Sequence, residues 1–167
     1  MAYYKVAKRT TRLYVNLINS LGNALASYSD TSKKPLVLSL NEPLKIKVTI
    51  YLFLGTNPKG GRSEGDYKIT LAAPGQARRT QGNFEADEGY PLLLSYVPDY
   101  DVYVFFNTRF HVNFGYNTNV QFRQELIFDA KVNGVSTMTK NNGETIVCST
   151  SENIVKGFSK WFDVLCN

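Results

Sequence analysis

The hydrophobic period of the chain changes twice, and that change limits the folds open to it. Tyr14, Leu17, Ile18, Leu21, Leu25 and Tyr28 recur at helical spacing, which predicts a helix from about Thr10 to Tyr28. From Leu36 the period is two. Leu36–Leu40 reads as a short strand and Lys45–Phe53 as a longer one. In the latter Ile46, Val48, Ile50 and Leu52 point one way and Lys45, Lys47, Thr49 and Tyr51 the other, the pattern of a half-buried antiparallel strand. Helical spacing returns at the end: Ile154, Val155, Phe158, Trp161, Phe162 and Leu165 predict a helix over about Ser151–Leu165. Helical ends around an alternating middle predict an α+β fold: a mostly antiparallel curved sheet or pseudo-barrel flanked by an N-terminal and a C-terminal helix.

Further strands are expected at Tyr67–Leu71, Pro91–Val97, Asp101–Asn107 and Glu144–Ser149. Pro98-Asp99-Tyr100 and Lys140-Asn141-Asn142-Gly143 read as tight turns, and Gly55–Asp66 and Ala73–Asn83 as longer loops. Thr10 or Thr11 is a candidate cap for the first helix, and Thr150 or Ser151 for the last. No repeat, linker or low-complexity tract interrupts the chain, so residues 1–167 are expected to form one domain, a length that suits one core.

Most catalytic chemistries lack their parts. His111 is the one histidine, so any Ser-His-Asp or Cys-His arrangement would need it, and there is neither a GxSxG elbow nor a GxxxxGK[ST] loop. Cys148, expected in a strand, and Cys166, at a helix end, form no disulfide framework and no CxxC site. No metal, cofactor or catalytic residue is therefore assigned. An acid followed by Asp-x-Lys is a metal-nuclease pattern, which Asp99 and Asp129-Ala130-Lys131 would satisfy. The same residues read more simply as a hairpin turn and the solvated end of an element, because Gln121–Ile127 is not a clean buried strand. No apolar run approaches the roughly 18 residues of a membrane span, and the N-terminus lacks a signal-like apolar core. A cytoplasmic protein without a membrane partner is expected.

A net charge of +5 and a pI near 9.1 favour a polyanionic partner. The two long loops carry Lys59, Arg62, Arg78 and Arg79 among glycines, with Gln81 and Asn83 close by. Arginine pairs with phosphate or a guanine edge, and amides pair with adenine. The same loops read equally as ordinary solvated hairpins. In the stretch Arg109–Arg123 aromatics alternate with amides and cations, a composition suited to stacking on bases and reading their edges. There Phe110, Phe114 and Phe122 are expected in the core, with His111, Tyr116, Asn117 and Asn119 available. Binding double-stranded DNA in this way requires the two arginine-bearing loops to sit side by side on one rim of the sheet. A protein-interaction subunit is the third class that the composition leaves open.

Several short segments resemble a known family: Gly60-Gly61-Arg62, Asp66-Tyr67-Lys68-Ile69, Pro74-Gly75-Gln76-Ala77-Arg78, Gly82-Asn83-Phe84, Tyr90-Pro91-Leu92-Leu93-Leu94, Asp101-Val102-Tyr103-Val104 and Tyr116–Gln121. Across roughly half the chain these are similar to the N-terminal DNA-recognition domains of modification-dependent restriction endonucleases of the AspBHI and MspJI type. The resemblance implies an SRA-like or B3-like sheet module in a restriction-modification defence system. Such a module is itself non-catalytic, is served by a separate nuclease domain or subunit, and in SRA-like members flips a modified cytosine into a pocket. It implies DNA-binding roles for Arg62, Arg78, Arg79, Asn83, Tyr116, Asn117 and Asn119. Arg109 and His111 join them from the composition of their own stretch.

Overall fold

The computed structural model describes residues 1–57 and 64–167. Lys59 and Arg62 lie outside the described residues. In chain order the elements are β1 (Tyr4–Lys5), α1 (Lys8–Leu21), β2 (Leu25–Tyr28), β3 (Lys33–Lys34), β4 (Leu36–Leu40), β5 (Lys47–Leu54), β6 (Asp66–Leu71), β7 (Gln81–Gly82), β8 (Tyr90–Val97), β9 (Val102–Phe106), β10 (Phe114–Gly115), β11 (Thr118–Arg123), α2 (Gln124–Asn133), β12 (Val135–Thr139), β13 (Thr145–Thr150) and α3 (Ile154–Cys166).

Seven strands make one open sheet in the order β12-β13-β9-β8-β5-β4-β2. Every pairing in it is antiparallel except β5 with β8. A parallel pair needs a long crossover. Among the described residues the crossover carries β6 instead of a helix, and β6 pairs antiparallel with β11 from Asp66↔Arg123 to Leu71↔Thr118. The fold is thus the expected α+β arrangement with a helix at each end, and the sheet stays open rather than closing into a barrel.

The sheet is covered on both faces. α1 and α3 bury Tyr14, Leu17, Phe158 and Trp161 against Leu38, Ile50, Leu92 and Phe105. The β6–β11 ribbon and α2 bury Ile69, Phe122, Leu126 and Ile127 against Leu93, Val104, Phe106 and Ile146. Central strands with two covered faces read as unbroken apolar runs, which explains Val102–Phe106. It also explains why β5 departs from the half-buried expectation: the ribbon side buries Thr49 and Tyr51 while Val48 and Ile50 face the helices. Gly157 lets α3 approach the sheet closely. A Cβ there would come within 2.5 Å of Ser149 Oγ and 2.8 Å of Phe105 Cε1.

Three stretches depart from the sequence reading. The first helix ends at Leu21, where Gly22, at φ 54°, donates its N–H to Ile18 O; Leu25–Tyr28 becomes edge strand β2. Helical spacing of Leu25 and Tyr28 carries no weight there, because Tyr28 is exposed. Residues 121–127 look irregular because two elements meet in them: β11 ends at Arg123 and α2 starts at Gln124. The edge strand β12 follows, and its mixed exposure leaves no clean alternation to detect. The caps also differ. Ala7 precedes α1 without a side-chain bond, while Thr11 Oγ1 donates to Thr31 O. Ser151 opens a 3₁₀ turn ahead of α3, and Thr150 Oγ1 accepts from Asn153.

Candidate nucleic-acid interface

β11 is the outer edge of the ribbon, and β12 is an edge of the sheet. Between β11 and the turn joining β12 to β13 runs an open trough of about 770 Å³. Its floor is Val120, Phe122, Met138 and Ile146. Its rim is polar: Asn119 and Gln121 stand on β11, and Lys140, Asn141 and Asn142 on the hairpin turn. Strand alternation sorts these residues. Val120 and Phe122 point into the core, so Asn119 and Gln121 must point outward. On the hairpin, Gly143 at φ 94° lets the chain reverse, and the Lys140 N–H is bonded to Glu144 O.

Asp66 lines the trough, Glu144 is buried behind its His111 and Lys140, and both carboxylates are engaged. Asp66 accepts from Arg123 Nη1 at 2.6 Å, and Arg123 also reaches Glu125 at 3.1 Å. Glu144 is fully buried just before β13. Its carboxylate is met by His111 Nε2 at 3.0 and 2.9 Å, by the Asn107 N–H at 2.9 Å and by Lys140 Nζ at 3.6 Å. Burial pushes the Glu144 carboxyl up, but the hydrogen bond and charge of His111, with the Asn107 N–H and Lys140, outweigh it and hold the group below the usual carboxylate range. The pair anchors the segment after β9 to the base of the hairpin.

The residues singled out from sequence fall into distinct settings. Arg78 and Arg79 are exposed in the loop between β6 and β7, with Arg79 at φ 64°. That loop is stitched to the 109–123 stretch. β7 pairs with β10, Gln76 Nε2 donates to Phe114 O, and Asn117 N donates to Leu71 O. Asn83 and Asn113 bond reciprocally at 3.0 and 2.9 Å, so much of the Asn83 amide is committed to that seam. Tyr116 and Asn117 are exposed beside it, Asn117 at φ 63°. Asn119 is exposed and accepts from Thr70 Oγ1 at 3.0 Å. Arg109 donates to Leu165 O near the end of α3, and the His111 ring is turned to Glu144. Phe114 and Phe122 are buried as expected; Phe110 is 40% exposed and lines the trough instead.

Of the first arginine-bearing loop only the ends are among the described residues. Thr56 bridges Lys68 near the start of β6, and the Glu64 carbonyl accepts from Arg123, whereas the second loop leaves after Leu71. A six-residue strand separates those points by about 17 Å at the usual rise. Arg78 and Arg79 therefore find their neighbours in the 109–123 stretch. Gln121, Asn141 and Asn142 were missed from sequence. The hairpin read as a structural turn, and its two amides gave the one signal. Of the alternative nuclease residues, Lys131 on α2 donates to Tyr100 O, and Asp129 is exposed. Among the described residues no group of three or more His, Cys, Asp or Glu is placed to hold a metal ion, and no helix is long and apolar enough to cross a membrane.

The structure is an α+β fold with an open sheet and an amide-rimmed trough. A family model matches residues 46–158, about two thirds of the chain, and the chain belongs to the methylase-associated X1 family. The match begins just before β5, ends within α3 and includes every residue named in the trough. Membership links the chain to the methylases of restriction-modification systems. No curated protein and no solved structure matches it.

Proposed function

We propose that this domain reads double-stranded DNA for a methylase-linked restriction-modification system, as a cytoplasmic recognition module in which residues 1–167 act as one unit and another domain or subunit performs the chemistry. The observation that carries the reading is the trough rim. Gln121 and Asn141 make no side-chain hydrogen bond among the described residues, and Asn119 and Asn142 each use only the carbonyl oxygen of the amide. Amides held outward on an edge strand and a tight turn are suited to base edges, which the major groove displays. The exposed Arg78 and Arg79 supply cations for phosphate.

Reading within the duplex fits better than extrusion of a modified base. A flipped base is gripped between aromatic or apolar faces in a closed pocket. The trough is open, and its rim offers amides with Phe110 as the exposed ring. The test is a low-salt titration of the protein against labelled duplexes of varied sequence, with and without modified cytosine. Gln121→Ala and Asn141→Ala should fold normally, bind DNA and lose preference among sequences. Parent protein that binds no duplex, or variants that keep the parent's preference, would refute the reading.

A further inference from the structure

The first thirty-four residues gather a dense positive surface that no part of the trough uses. β1 and β3 pair antiparallel with Lys5 directly opposite Lys33 and Tyr4 opposite Lys34. The Val6 N–H bonds to Ser32 O and Thr11 Oγ1 bonds to Thr31 O, so this short ribbon is tied to the start of α1. There Lys8, Arg9 and Arg12 project. Lys5, Lys8, Arg9, Arg12 and Lys33 are exposed, and Arg9 and Lys34 line one shallow cavity with Pro74.

The arrangement is electrostatically unfavourable for the protein alone, in three separate ways. Like charges directly across a strand pair repel, as at Lys5 and Lys33. Like charges at i and i+4 on a helix repel, as at Lys8 and Arg12. Cations at a helix N-terminus oppose its dipole, and the first turn of α1 holds no acidic residue. Among the described residues none of these side chains has a carboxylate within 4.0 Å. Asp30, which feels the charge of Lys33, is already bonded to Ser32 N and Oγ, and Asp87 is taken up by the N-terminal ammonium of Met1 at 3.3 Å. Conflict at one site, unrelieved by internal partners, is what a surface built for an external anion shows.

We infer that this N-terminal patch is a phosphate-backbone track for duplex DNA. The choice of DNA rests on the function proposed above. It is favoured by continuity with the face already described. The Tyr4 ring lies over Gly75, where a Cβ would fall 2.5 Å from Tyr4 Oη, so the patch adjoins the loop bearing Arg78 and Arg79. That loop is in turn bonded to the 109–123 stretch. Tyr3 and Tyr4 are exposed among the cations and can donate hydrogen bonds to phosphate oxygens. Contacts of this kind give affinity and register without sequence preference.

The test uses the full chain and the triple variant Lys5→Gln, Arg9→Gln, Lys33→Gln. Affinity for labelled duplexes is measured from low to moderate salt, with anionic phosphatidylserine vesicles as a second arm. Each lost phosphate contact lowers the slope of log affinity against log salt by about 0.9. The variant should therefore lose up to about 2.7 from that slope, by the same amount on every duplex sequence, and should melt no lower than the parent because repulsion has been relieved. If the parent binds duplexes and the variant keeps its slope, the patch assignment falls while the trough reading stands. If the parent binds no duplex, both fall together, and binding to the vesicles would then make the patch a membrane-facing surface.

Discussion

Removing the His111 side chain should destabilise the protein through Glu144. In the parent the Glu144 carboxylate is fully buried and takes two contacts from His111 Nε2, one from the Asn107 N–H and a longer one from Lys140. His111→Ala leaves a buried charge with one short bond and an ammonium at 3.6 Å. Breaking a buried pair from one side costs about 3 to 5 kcal/mol. Because the Asn107 N–H and Lys140 remain, we expect the lower end, about 3 kcal/mol. For a chain of this size that lowers Tm by about 6–12 °C.

The sign with pH follows from the carboxyl. In the parent its pKa lies below the unfolded value, so the stability it contributes is present above about pH 4.3 and is lost as pH falls through the folded pKa. In the variant, burial acts with less opposition and pushes the folded pKa above the unfolded one. The charged carboxylate then costs stability at neutral pH, and the cost fades on acidification. The gap between the two proteins should thus narrow sharply between pH 7 and pH 4, read by urea unfolding followed by circular dichroism. Adding Glu144→Gln to His111→Ala should recover part of the loss, because the buried charge is gone and Asn107 keeps an acceptor. A loss under about 1 kcal/mol at pH 7, or an equal gap at pH 4, would show that His111 does not hold Glu144.

Gly157→Ala should cost about 1–3 kcal/mol by overpacking α3 against Ser149 and Phe105, measurable as a lower urea midpoint with unchanged slope. Trp161→Phe should cost about 1 kcal/mol, since the Nε1 bond to Phe106 O at 3.2 Å is lost in a buried setting. Burial pushes the Cys148 thiol up to about 12, so at pH 8 a thiol reagent should label Cys166 alone in the native protein and both cysteines after unfolding.

The candidate site was only partly legible. The turn chemistry of Lys140–Gly143 and the outward amide at Asn119 were readable, because turns and strand alternation are local rules. That Arg109 would bond to the end of α3, that His111 would turn to Glu144, and that Asn83 would be tied to Asn113 were not. Each partner lies 30 or more residues away in sequence. The like-charge clash at Lys5 and Lys33 was equally hidden, because it exists only once β1 and β3 pair.

Amphipathic spacing alone was enough for α3 and the start of α1, and unbroken or alternating apolar runs for β4, β5, β8, β9 and β13, since one buried face imposes its period on the residues within an element. Strand order was beyond that reach. The parallel join of β5 to β8, the ribbon laid over the second face, and the trough between β11 and the β12–β13 turn all depend on which distant surfaces bury each other. Burial energy is nearly indifferent to chain order, so periodicity says that a face must be covered and leaves the covering element to the packing of the whole chain.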